Sequence, residues 1–234
     1  MPAPLALVNW KTSYRIIATR FPPRFLFERV APDTDWDALE ALADLTSPRV
    51  MQAEDRHGLF PPEECAEGEG AELVMAAFTY LNPEGSRFSD GSYGVYYTAR
   101  SLDTAIHETV YHRRRFWRFS RLPAMHFPMK VLEARIQGRL HDLREKAPDR
   151  KLLDPDNYAA SKRFALKVKV QEKAAGIVYP SVRHQGGECA AVFLPRMVSQ
   201  CRRTMMLDYI WDGAGEVTVA KLDVMKVLKG EEQS

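Results

Sequence analysis

The stretch Gly85-Ser-Arg-Phe-Ser-Asp-Gly-Ser-Tyr-Gly-Val-Tyr-Tyr-Thr-Ala-Arg-Ser-Leu-Asp-Thr-Ala-Ile-His-Glu108 reads in order as a turn, a strand and the start of a helix. Asn82-Pro-Glu-Gly85 and Ser89-Asp-Gly91 are good turn formers. The aromatic and β-branched run over 95–99, bounded by Gly94 and Ser101, predicts a strand. Ser101 then suits an N-cap, with Asp103 in the first turn and Ala105, Ile106, Thr109 and Val110 forming an apolar helical face. Arg87, Tyr97 and Glu108 thus sit at successive joints of one unit, an arrangement that shapes a ligand cleft. On an ideal helix Glu108 lies about 120° from the centre of the apolar face, where it can overlook such a cleft.

A second block, Gly176-Ile-Val-Tyr-Pro-Ser-Val-Arg-His-Gln-Gly-Gly187, places Ser181 and Arg183 at the end of an apolar run just before a glycine turn. Its flanks predict two strands, 176–182 and 189–194, joined by His-Gln-Gly-Gly. Elsewhere the chain predicts a strand over 13–18, a helix over 35–45, loop to about 69, a helix over 71–80, a strand pair at 127–136 and 141–143, and a helix over 157–175 capped by Asp156 or Asn157. The period of 217–228 leaves strand and helix both open. Short strands alternating with scattered helices favour an α+β fold over a doubly wound sheet.

With 234 residues, the chain fits one large domain with its own core. Apolar and charged fractions of 45% and 27% are ordinary globular usage. The longest apolar runs fall far short of the roughly 18–20 residues that cross a bilayer. The apolar N-terminus lacks a preceding basic region and a cleavage site, so a cytoplasmic location is expected. Cys65, Cys189 and Cys201 form no C-x-x-C unit, consistent with a reducing compartment. A net charge of +2 is too mild for a nucleic-acid coat, and no direct nucleic-acid binding is expected; Arg113-Arg-Arg-Phe-Trp-Arg118 reads as a solvated helix end or a contact for a polyanion or partner.

Several chemistries fail on spacing. His107 and His112 are five residues apart, rotated by about 140° on a helix, whereas a zinc helix motif needs four. No metal site is expected. Gly85, Gly91 and Gly94 are followed by no Gly-Lys-Ser/Thr, which excludes a phosphate loop. Ser181 lies in no Gly-x-Ser-x-Gly elbow, which argues against a hydrolase triad; its bland alternative is a serine closing a strand on its own backbone. Arg87 could equally be a loop arginine, Tyr97 a strand aromatic and Glu108 a surface carboxylate.

Taken together, Gly-Ser-Arg87-Phe, Gly-Val-Tyr-Tyr97-Thr-Ala, Thr-Ala-Ile-His-Glu108-Thr and Tyr-Pro-Ser181-Val-Arg183 resemble the RES domain, a family named for its Arg, Glu and Ser. The resemblance is strongest over about 80–200. It places the RES domain at 76–234 and makes 1–75 an N-terminal extension packed on it. It implies an ADP-ribosyltransferase-like split β-sheet core with flanking helices, and a toxin of a toxin–antitoxin pair whose partner is an Xre-type helix-turn-helix antitoxin. The implied activity degrades NAD at the nicotinamide–ribose bond, with NAD as substrate, no cofactor and inorganic phosphate as acceptor. Protein ADP-ribosylation and an inactive antitoxin-binding protein are the alternatives; homodimerisation is a further expectation.

The resemblance assigns Arg87, Glu108 and Ser181 to catalysis, and Tyr97, Arg183 and one N-terminal arginine, Arg15 or Arg20, to substrate binding. Glu108 would stabilise oxocarbenium character on the ribose and fix its hydroxyls. Arg87 would hold pyrophosphate or incoming phosphate through paired charge-assisted hydrogen bonds. Tyr97 would stack on or orient nicotinamide, and Ser181 would bond the nicotinamide or ribose side. Nicotinamide is already cationic in NAD and needs no strong acid to leave. Phe88 and Cys189 stand where many relatives carry Trp and Asn.

Overall fold

The computed structural model describes residues 3–19, 60–79, 81–144, 149–172 and 174–222. Its elements in chain order are β1 (Leu5–Ala18), α1 (Ala71–Thr79), β2 (Tyr96–Ala99), α2 (Leu102–Phe119), β3 (Met125–Asp142), α3 (Ala159–Val170), β4 (Gly176–Pro180), β5 (Glu188–Val192), β6 (Val198–Trp211) and β7 (Val217–Leu222). The fold is α+β: among the described residues, one seven-stranded sheet in the order β1-β2-β5-β4-β3-β6-β7, with three α-helices. Arg20 and the helix predicted over 35–45 lie outside the described residues. Among the described residues no helix is long and apolar enough to cross a membrane.

β3 is the hub. One edge pairs antiparallel with β1, from Leu5 opposite His141 to Ala18 opposite Met129. The other edge takes β6 between Met125 and Ile136, then β4 in parallel at His141 and Asp142. The sheet therefore splits along β3 where β6 gives way to β4. Because β1 also meets β2 at Tyr14 and Ala99, the pairings β1-β2-β5-β4-β3 close on themselves and set these strands around one end of the molecule.

Strands buried on both faces explain the short continuous apolar runs. In β4, Ile177 and Tyr179 enter one core and Val178 the other; in β5, Cys189 and Ala191 oppose Ala190 and Val192. The first core is covered by α2 through Ala105 and Trp117 and by α3 through Ala165 and Val168. The second is covered by α1 through Val74 and Phe78. All three cysteines are free thiols.

Three differences from the sequence expectations have physical causes. The strand pair predicted at 127–136 and 141–143 is one continuous strand, β3. Gly138 is no turn: a Cβ there would lie 2.4 Å from Met197 Sδ, so glycine admits a neighbouring side chain. The strand expected over 13–18 begins at Leu5, its two halves joined across a bulge between Trp10 and Ser13. The helix expected over 157–175 is Ala159–Val170; Asn157 Oδ1 accepts from the Ala159 N–H at 3.0 Å, while Tyr158 at the cap position makes no side-chain cap.

Residues 198–211, whose sequence shows no clear period, form β6, its alternation broken at Gln200 (φ 53°). The ambiguous segment from Val217 opens as a strand, joined to β6 by a turn in which Asp212 Oδ1 accepts three backbone N–H groups.

Candidate active site

The strand-to-helix joint forms as its sequence dictates. Ser101 is extended (φ −127°, ψ 153°), and its Oγ accepts from the Thr104 N–H at 3.2 Å, capping α2. Two turns further along, Glu108 faces the β4–β5 turn. That turn can approach because residue 187 is glycine: a Cβ there would lie 2.6 Å from Thr104 Oγ1. The turn closes on itself through Ser181 N–H to Gly187 O at 2.8 Å.

Ser181 Oγ donates to Glu108 Oε1 at 2.6 Å, and the same oxygen accepts the N–H groups of Arg183 (3.1 Å) and His184 (3.0 Å). A hydroxyl receiving two amide hydrogens is a polarised donor, and the carboxylate it meets is held in one orientation. Cys189 Sγ lies 3.9 Å from the same Oε1. Burial, reinforced by the Glu108 charge, pushes the Cys189 thiol well up, so it stays protonated beside the carboxylate. Glu108 Oε2 has no hydrogen-bond partner among the described residues.

Arg87 enters from the Gly85 turn, 8% exposed, donating to Asp154 O at 2.7 Å with its guanidinium 4.4 Å from the centre of the Tyr158 ring. The turn is fixed by Tyr97, whose hydroxyl bonds Ser86 Oγ at 2.7 Å and accepts the Phe88 N–H at 2.9 Å. Burial pushes that phenol up to about 12. Tyr97 thus uses its polar end to hold the arginine loop while lining the cleft. Arg15 on β1 donates to the Tyr97 carbonyl at 3.0 Å and lies 4.9 Å over the Tyr96 ring; burial lowers its pKa from the usual value.

Arg15, Arg87, Tyr97 and Glu108 line one cleft of about 830 Å³, a volume within the range of small-molecule and cofactor sites. Ser181 stands behind Glu108 rather than on the wall. Arg183 also lies off the wall: its guanidinium stacks on Tyr111 at 3.3 Å and donates to the Pro155 carbonyl, tying the turn to the loop that carries Asp156. Sequence reasoning did not assign Arg115, Tyr158, Lys162, His112 or Asp156 to the site, yet all line the cleft. Arg115 and His112 were visible on α2, within and just before its basic run; Asp156, Tyr158 and Lys162 carry no signal until α3 and its preceding loop fold over the opening.

Residues 62–212 match the family model described as RES domain. The chain belongs to the RES-domain family. The RES match starts after β1, so Arg15 brings to the cleft a residue from outside the matched span. Uncharacterized protein y4oC of Sinorhizobium fredii (strain NBRC 101917 / NGR234) is similar to this RES protein, 28% identical over 200 residues that cover 86% of this chain and 83% of that one. Among solved structures, the M. tuberculosis MbcT–MbcA toxin–antitoxin complex contains a chain 11% identical, with a TM-score of 0.44 and 86% of each chain covered.

Proposed function

We propose that this RES protein is a toxin that degrades NAD by breaking the nicotinamide–ribose bond, with inorganic phosphate as the acceptor. The observation that carries the reading is Glu108, oriented by Ser181 at 2.6 Å, on a cleft whose wall also carries Arg15, Arg87, Arg115 and Lys162. A dianionic pyrophosphate needs such cations, and a ribose acquiring oxocarbenium character needs a fixed carboxylate beside it.

In this reading Arg87 and Arg15 hold phosphate oxygens, and Glu108 Oε2 accepts a ribose hydroxyl. The bond to C1 of the ribose breaks with its electron pair going to the nicotinamide nitrogen, which leaves neutral without a proton. A phosphate oxygen then bonds C1 from the opposite side, giving ADP-ribose-1″-phosphate. Ser181 takes no part in the bond changes and keeps the carboxylate in place. The partner proposed is an Xre-type helix-turn-helix antitoxin that blocks the cleft. The exposed end of α2, where Phe116 and Phe119 stand among arginines, is a surface that such a partner can cover.

The test is NMR of NAD incubated with the partner-free chain, with and without inorganic phosphate, beside Glu108→Gln. Phosphate-dependent ADP-ribose-1″-phosphate, absent in the variant, is the expected result. Phosphate-independent ADP-ribose would make it a glycohydrolase, and intact NAD in every tube would overturn the enzymatic reading.

A further inference from the structure

Outside the cleft, three donors of metal-ligating type meet at the junction of α2 with the β4–β5 turn. Asp103 and His107 lie one helical turn apart on the same face of α2, with Asp103 Oδ1 and His107 Nε2 separated by 3.9 Å. His184 arrives from the turn and sets its Nε2 3.2 Å from Asp103 Oδ2. The two imidazoles stack with centroids 4.6 Å apart and planes 10° from parallel. One donor atom from each residue lies within 4.8 Å of the others.

We propose that Asp103, His107 and His184 bind a divalent transition-metal ion of the zinc class, which clamps the first turns of α2 to the turn that carries Ser181. Ligand atoms at about 2.0–2.1 Å from zinc in tetrahedral array stand roughly 3.4 Å apart, so closure requires shifts of about 1 Å together with rotation of the His107 ring out of its stack on His184, which brings both Nε2 lone pairs onto one ion. Asp103 and His107 are exposed and free to make them. His184 is already oriented: its Nδ1 bonds Thr104 Oγ1 at 2.9 Å, which leaves Nε2 as the metal-facing nitrogen. A hydrogen bond on the far imidazole nitrogen is how proteins fix ligating histidines. Two nitrogens and one carboxylate, with positions left open to water, favour zinc, cobalt or nickel over magnesium or calcium. No such site is legible in the sequence, because the helix spacing of His107 and His112 fails and His184 reaches His107 only through the fold.

The site adjoins the catalytic constellation without belonging to it. None of its three residues lines the cleft. The connection runs through His184, whose backbone N–H bonds the Ser181 oxygen at 3.0 Å. Binding to the folded state alone raises apparent stability by mass action, so occupancy is measurable without any assay of NAD.

The experiment is isothermal titration of the full, untagged chain with ZnCl₂, with thermal unfolding in its presence and absorption spectra of the CoCl₂ complex. One saturable ion per chain, a rise in the unfolding midpoint and cobalt bands of a nitrogen–oxygen site are expected, while MgCl₂ gives none of these. His107→Gln and Asp103→Asn should each weaken zinc more than about tenfold. His107→Gln keeps the Thr104–His184 contact, so its metal-free melting should match the parent and report that it is folded. Absence of stoichiometric binding, equal response to magnesium, or undiminished affinity in both variants, as a site at Cys65 would give, overturns the proposal.

Discussion

Ser181 Oγ donates to Glu108 Oε1 at 2.6 Å while accepting two amide hydrogens, so one hydroxyl joins the β4–β5 turn to α2 and fixes the carboxylate's orientation. Replacing either partner has separable consequences. Glu108→Gln keeps an acceptor for Ser181 and should preserve the fold while lowering the rate of NAD loss by about 10²–10³-fold. Melting curves beside NAD consumption check both halves.

Ser181→Ala removes the donor to Glu108 and the acceptor for two backbone N–H groups. Stability should fall by about 1–3 kcal/mol, and kcat for NAD should fall more than KM rises, because the serine acts on the carboxylate rather than on bound substrate. Denaturant titration and steady-state kinetics read the two effects separately; an unchanged kcat would remove Ser181 from the mechanism.

Arg87→Lys keeps the charge but loses the planar group that stacks on Tyr158 and donates to Asp154 O. The expected loss in kcat/KM for NAD is about tenfold or more, or about 1.4 kcal/mol. Parent-like kinetics would mean that Arg87 contacts no substrate phosphate.

Cys189 supplies a pH signature. Its folded thiol titrates above the ordinary value of 9.0, because burial opposes the thiolate and Glu108 repels it. The unfolded chain therefore releases this proton first, and stability constant below pH 9 is lost as the pH rises toward the folded pKa. Each such group contributes a slope of about −1.4 kcal/mol per pH unit in that window. Cys189→Ala should flatten unfolding free energies measured between pH 8 and 10.5 by up to one such slope. In the parent protein at pH 8, iodoacetamide should label the half-buried Cys65 and spare Cys189, 3% exposed.

Gly85 tests the turn that delivers Arg87. It sits at φ 72°, and a Cβ would lie 2.3 Å from the Ser89 carbonyl oxygen. Gly85→Ala should cost at least about 1–2 kcal/mol and reduce NAD turnover along with stability. Differential scanning calorimetry with kinetics checks the pairing of the two losses.

The amino-acid sequence by itself determined the local units: the Asn82–Gly85 turn, the aromatic strand, the Ser101 cap and the apolar pair β4–β5. Each is decided within a few residues by dihedral preference, capping or continuous apolar burial. The ordered Arg87, Tyr97, Glu108 and Ser181 motifs also identified the family. What only the tertiary structure decided depends on contacts between distant segments. Gly138 looks like a break until Met197 packs against it, and β6 carries a bulge that disrupts its alternation. Tyr97 proves to anchor the arginine loop by its hydroxyl. Arg15 is brought to the cleft because β1 lies between β2 and β3. His184 meets His107 for the same kind of reason: sequence fixes the donors, and strand pairing fixes the distance between them.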